Sequence, residues 1–349
     1  MITRFIQHII RSNWWKYLAI VTLVITSFLS LGVPLAPNIL TIDTNQLKVG
    51  TNDITVTGYN TRFDASENQA WIEYEDYALC AIHTYARSSD ELLVRFDIPQ
   101  VLPEKRLELF IHSGYGGIMR SPQRVWVSAA VVKDTAQVNT CYAPIESSVA
   151  TPMLAFPNKN ILNETIRNLN FHVPMWFSMI FLMLISFVCS IVYLRNSDQR
   201  YDMAARSAIH VGLLFACCGL ATGSLWARFT WGAWWTTDPQ LNGAAISTLI
   251  YLAYFLLRRS IEDPDKQARI AAVYAIFAFV MFYVFVKVIP GMADFSLHPD
   301  TTDNPSFKEY DVEDRLKLVL RLSAMGWIAL SFWIFTLRYR FLRVAEKDH

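Results

Sequence analysis

Two histidines and a cluster of tryptophans are the residues of this chain best suited to chemistry. His172 stands in Phe171-His172-Val173-Pro174, and His298 in Ser296-Leu297-His298-Pro299. Between them, the segment 221–241 holds Trp226, Trp231, Trp234 and Trp235 within ten residues, with a single acid, Asp238, before Pro239. Imidazole is a common metal ligand, and two imidazoles on separate segments can approach one iron from opposite faces. Indole rings crowded into one short segment make a rigid, flat, apolar shelf, the surface that a planar macrocycle needs. Each residue also has a plainer role. A histidine can be a satisfied polar group at an interface, tryptophans favour the membrane–water boundary, and Asp before Pro at a helix start is a cap. For Asp238, capping, a ligand-side polar contact and a partner contact all remain open.

The elements that must position these residues are apolar. The chain of 349 residues is 53% hydrophobic and 17% charged, with 11 Trp and 22 Phe; an ordinary soluble domain carries roughly 25% charge. A bilayer core about 30 Å thick takes about 20 apolar residues as a helix, because a helix satisfies its own backbone. Six such runs occur, at 17–35, 173–194, 207–225, 241–257, 270–289 and 318–337. The first follows a basic start but lacks a small-residue cleavage site, which predicts an uncleaved anchor. Lys and Arg concentrate on alternate connections: Arg4, Arg11 and Lys16; Arg195, Arg200 and Arg206; Arg258, Arg259, Lys266 and Arg269; Arg338, Arg340, Arg343 and Lys347. The positive-inside rule then puts both termini in the cytoplasm and the tryptophan loop, 226–240, outside together with His172 and His298. The net charge of +1 says nothing about a polyanionic partner, and the sequence has no Lys/Arg run or nucleic-acid motif, so no nucleic-acid partner is expected.

Three parts follow: residues 1–37 as cytoplasmic start and first helix, 38–157 as an extracytoplasmic domain, and 158–349 as the membrane core. The middle part has alternating apolar runs at 54–57, 92–98, 107–111 and 125–131, punctuated by turn signals near Gly50 and at Gly114–Gly117. Such spacing predicts a small antiparallel β-sandwich. The stretch from Ile39 to Phe63 resembles the first hairpin of Ig-like TIG-type domains. Cys80 and Cys141, its only cysteines, can form a disulfide in an outer compartment or stay as buried thiols. His83 and His112 read as lone core or surface histidines. The domain lacks a catalytic triad, a carboxylate pair and a phosphate loop, and reads as a docking module. The fold class is thus an all-α membrane bundle of six transmembrane helices with an inserted Ig-like β-sandwich.

Trp231-Gly-Ala-Trp234-Trp235-Thr-Thr-Asp238 resembles the WWD signature of the haem-handling proteins of cytochrome c maturation. Thr222-Gly223-Ser224-x-Trp226 and the segments around His172 and His298 resemble the same family, over about residues 160–340. The chain is similar to the CcmC-type haem transporters of the System I pathway, whose usual plan has no inserted domain. The resemblance implies haem b held non-covalently between His172 and His298, against Trp226, Trp231, Trp234 and Trp235, beside Asp238. Arg167 matches a family arginine and is the expected propionate contact. Thr237 and Gln240 stand where the family often has Trp and Arg. The implied partners are a CcmE-like periplasmic haem chaperone, a small CcmD-like membrane subunit and a CcmAB-like ABC transporter, at the bacterial inner membrane. No covalent step is implied, so the chain is not expected to be an enzyme. The alternatives are a System II-type component that attaches haem to apocytochrome, and a membrane-anchored adhesion or sensing protein.

Overall fold

The computed structural model describes residues 13–74, 77–102, 104–131, 155–156, 163–293, 296–298 and 314–345. The chain folds as two compact units, Val33–Glu164 and the remainder.

The larger unit holds six helices long and apolar enough to cross a membrane. They are α1 (Trp14–Gly32), α2 (Leu169–Asn196), α3 (Gln199–Trp231), α4 (Pro239–Arg259), α5 (Pro264–Tyr283) and α6 (Asp314–Ala345). Helix α5 continues through a π-helical turn, Val284–Val288, into a last turn, Ile289–Gly291. The connections are short because their residues stop and start helices. Ser197 adopts a left-handed conformation after α2, and Asp198 then caps α3 through the Arg200 N–H. Gly232, with φ at 79°, ends α3. Asp-Pro pairs open both α4 and α5: Asp238 accepts from Gln240 and Leu241, and Asp263 from Asp265 and Lys266. Proline at the first helical position loses nothing there, since that N–H has no intrahelical acceptor. The alternation of these connections puts the starts of α2, α4 and α6 at one end of the bundle with the ends of α3 and α5.

The bundle core is built on α2 and α3, with Met179, Leu182 and Met183 packed against Ala208, Ile209 and Ala216. Small residues allow close approach. A Cβ on Gly243 of α4 would collide with the carbonyl oxygen of Phe285, in the π-helical turn of the α5 extension. Helix α1 lies on α6, where Leu23 covers Gly326 and Trp15 meets Phe332.

The smaller unit is a β-sandwich. One sheet has the order β1-β3-β7-β6, formed by Asn38–Ile42, Gly50–Tyr59, Glu91–Ile98 and His83–Ala86. The other has the order β2-β11-β9-β4-β5, formed by Gln46–Lys48, Val125–Ser128, Arg106–Ser113, Asn68–Tyr74 and Tyr77–Cys80, with β10 (Gly117–Arg120) also on β9. Alternate residues of β7 (Leu92, Val94, Phe96, Ile98) and of β9 (Leu107, Leu109, Ile111) meet in one core, as a period of two requires. Pairing is mainly antiparallel, but β2 and β11 run parallel, as do β8 (Val101–Leu102) and β12 (Ala130–Val131). The β9–β10 hairpin turns through Gly117, whose φ of +66° suits glycine. Cys80, at the end of β5, is disulfide-bonded; Cys141 lies outside the described residues.

Candidate functional site

His172 projects from the first turn of α2, toward the last turns of α3. Its Nδ1 lies 3.1 Å from the hydroxyl of Thr222. That hydroxyl donates its one proton to the Cys218 carbonyl at 2.8 Å, so it faces the imidazole as an acceptor. The Nδ1 therefore carries the proton, and Nε2 keeps its lone pair. Rings of Trp176 and Trp226 stand edge-on to the imidazole, at 6.3 and 5.7 Å between centroids. Gly223 lies beneath it: a Cβ there would come within 2.7 Å of His172 Cε1. The Asn168 amide donates to the Thr222 carbonyl at 2.9 Å and pins the two helices together.

His298 reaches the same end of the bundle from the segment after α5, and it lies within the electrostatic field of His172. Its Nδ1 sits 2.7 Å from Asp238 Oδ1. The same Oδ1 caps α4, accepting from the Gln240 and Leu241 N–H groups at 3.0 and 3.1 Å. Oδ2 accepts from the Ser296 hydroxyl and the Leu297 N–H, both at 2.7 Å. Asp238 is thus a buried carboxylate with five donors. Burial opposes its ionisation, but the hydrogen bonds from His298, Ser296 and Leu297 outweigh that and hold its carboxyl well below the usual carboxylate range. A carboxylate on Nδ1 fixes the imidazole tautomer and leaves Nε2 as the donor nitrogen, the arrangement typical of metal-ligating histidines.

The tryptophans divide between helix and loop. Helix α3 runs to Trp231, well past the span expected at 207–225, so Trp226 and Trp231 ride its last turns and the connection to α4 shrinks to residues 232–238. Trp231 stands edge-on to His298 with centroids 5.4 Å apart. Trp234 and Trp235 are exposed, at 58% and 43%. The Trp235 indole N–H donates to the Asn242 amide at 3.0 Å, which ties the loop to α4. Two arginines near the site make structural contacts. Arg167, in the 3-10 helix Asn163–Asn168, donates to the Ser30 carbonyl of α1 at 3.0 Å, and Arg228 donates to the Gly232 carbonyl at the end of α3.

Sequence reasoning placed both histidines and the tryptophans but missed their supports. Trp176 follows His172 by one helical turn, a spacing that would have signalled contact. The Asp238–His298 pair spans 60 residues and leaves no local pattern. His83 is exposed on β6, and His112 is a largely buried β9 residue. Chemically, the site brings together two imidazoles and an apolar aromatic surface that is partly exposed. That donor set and those walls fit an iron porphyrin, whose ring is apolar and whose iron takes axial histidines.

The family profile described as Heme exporter protein C (CcmC) matches residues 119–348. A Rhodobacter capsulatus protein of that name is 30% identical over 176 residues, covering 50% of this chain and 72% of the relative. A Bradyrhizobium diazoefficiens protein of the same name is 37% identical over 110 residues, covering 31% of this chain and 41% of the relative. Cytochrome c biogenesis protein CcsA of Prochlorococcus marinus is 33% identical over 94 residues, covering 27% of this chain and 30% of the relative. Six apolar helices, the tryptophan segment and a profile match over most of the chain lead to one assignment: this chain belongs to the Heme exporter protein C family and is a haem-handling membrane protein of cytochrome c biogenesis.

Proposed function

We propose that the chain holds haem b non-covalently between His172 and His298 and presents it for transfer to a periplasmic, CcmE-like haem chaperone. The observation that carries this reading is that the two imidazoles share one end of the bundle, each with Nδ1 engaged, by Thr222 or by Asp238, and each set edge-on to a tryptophan ring. Trp226, Trp231, Trp234 and Trp235 supply the apolar surface for the macrocycle. Arg167, which matches a family arginine, is the proposed propionate contact. The exposure of Trp234 and Trp235 suits handover, because full burial would slow release. The charge pattern of the helix connections supports a site on the periplasmic side of a bacterial inner membrane with both termini cytoplasmic. A CcmD-like subunit and a CcmAB-like ABC transporter are the expected companions, and the role is handling, not catalysis.

Purified protein should show a six-coordinate Soret spectrum, and His172→Ala and His298→Ala should each remove or alter it. If both variants keep the wild-type spectrum and haem content, bis-histidine ligation is wrong. A second reading, haem attachment to apocytochrome, is favoured by the likeness to CcsA proteins. Formation of a covalent haem adduct on an added apocytochrome, with this chain alone, would select it.

A further inference from the structure

Gly243 lies on the second turn of α4, buried against the extension of α5. A side chain is excluded there, because its Cβ would collide with the carbonyl oxygen of Phe285. The Cα–H that stands in place of the Cβ therefore points at that oxygen, the geometry of a weak Cα–H···O hydrogen bond. The chain around Phe285 makes this carbonyl one that needs a neighbour. Residues Val284–Val288 form a π-helical turn, in which the Ile289 N–H is spent on the Val284 carbonyl. The next residue is Pro290, buried and without an N–H. Neither residue that would ordinarily close a turn onto Phe285 supplies a donor, and α4 brings its bare glycine there instead.

The same stretch of α4 holds other parts of the site. Asp238, its cap, accepts from Ser296 and Leu297 and pairs with His298. Asn242 accepts from the Trp235 indole. The segment that carries His298 is thus tied to α4 at two places, at its end by Asp238 and at its root by Phe285 on Gly243. Between them, the π-turn and Pro290 set the direction in which the chain leaves the helix. We infer that Gly243 is a positioning residue for His298: its missing side chain seats the Phe285 carbonyl, and that seat fixes where the chain departs from α5 and so brings the imidazole onto Asp238. The inference rests on the reading of His298 as a haem ligand. An alanine methyl needs about 3.3–3.6 Å to a carbonyl oxygen, so Gly243→Ala would drive the extension away from α4. The 2.7 Å contacts of Asp238 with His298 and Leu297 leave no slack to absorb that shift.

Amide hydrogen exchange on the full-length, haem-free protein tests the proposal. In Gly243→Ala the Leu297 and His298 amides should exchange ~10-fold faster, the effect of losing one hydrogen bond to a carboxylate, while the helix around His172 keeps wild-type protection. Gly212→Ala is the control. Its Cβ meets chiefly the flexible end of Met183 in the bundle core, and both regions should exchange as in the wild type. If Gly243→Ala does not fold, Pro290→Ala decides: it adds no bulk, gives Phe285 a donor within its own helix, and should speed exchange at Leu297 and His298 in the same way. Unchanged exchange at these two amides, an equal loss of protection around His172, or the same acceleration in Gly212→Ala would overturn the proposal. With haem added, Gly243→Ala should alter the Soret spectrum and weaken binding by ~10-fold; a wild-type spectrum and affinity in this variant would overturn it too. A wild type without a six-coordinate spectrum counts against ligation by His298 itself, and the exchange result still decides the role of Gly243.

Discussion

Asp238 Oδ1 lies 2.7 Å from His298 Nδ1, and the same oxygen caps the helix that follows the tryptophan loop. One carboxylate therefore sets both the start of α4 and the orientation of a proposed iron ligand. Asp238→Asn separates the two roles. Asparagine is as good a cap as aspartate, but its amide nitrogen cannot accept from the Ser296 hydroxyl and the Leu297 N–H. Haem affinity should fall ~10–100-fold, the usual cost of removing a partner behind a metal ligand. The α4 helix should persist. Haem titration by absorbance, beside circular dichroism of the same samples, checks both halves.

The same carboxylate predicts a pH dependence. Its folded pKa is depressed, so its stabilising contribution is present above the unfolded value of about 3.9 and is lost as pH falls below that toward the folded pKa. Wild-type stability should decline through this acid window, and Asp238→Asn should flatten part of the decline. Unfolding temperature measured from pH 6 down to about 2.5 gives the comparison. An identical slope in the two proteins would show that other groups set it.

Gly223→Ala is predicted to act on the site and not on the fold. Alanine gains about 1 kcal/mol of helix propensity over glycine, yet its Cβ would press to 2.7 Å from His172 Cε1. The ring must turn away, and its Nδ1 contact with Thr222 weakens. The expected result is a protein with unchanged or slightly higher thermal stability and an altered haem spectrum. A wild-type spectrum would mean that His172 has room to adjust without loss of ligation.

The six helices were legible because apolar runs of bilayer length have few other uses, and the strands because β7 and β9 alternate strictly. The cap at Asp238 was legible from its proline. The reach of α3 to Trp231 was not, since Arg228 and Thr230 lower the hydropathy just where the helix continues. The supports of the site were not legible either. Thr222 acts by turning its hydroxyl back onto Cys218, and Asp238 acts across 60 residues. Both are products of tertiary packing, with no periodic trace. The parallel pairs β2–β11 and β8–β12 escape for the same reason, because alternation sets which face is buried but not strand direction.

Cys80 and Cys141 are predicted to be bonded to each other, since the remaining cysteines, Cys189, Cys217 and Cys218, are free thiols on the helices. Peptides containing residues 80 and 141 should co-elute in a digest and separate on reduction. Cys80→Ser should destabilise the sandwich by about 2–4 kcal/mol, the usual effect of opening a long loop. Two separate peptides in the unreduced digest would refute the pairing.

The pair Asp202–Arg258 gives the last prediction. Both residues are more than nine-tenths buried, and their two hydrogen bonds join the first turn of α3 to the last turn of α4. Tyr254 and Gln267 accept further guanidinium N–H bonds, each at 3.2 Å. Asp202→Ala leaves a buried cation without its counter-charge, and breaking such a pair costs about 3–5 kcal/mol. Replacing both partners, as Asp202→Leu with Arg258→Met, removes the charge along with its partner and should recover most of that loss. A double variant as unstable as Asp202→Ala would mean that the pair contributes net stability.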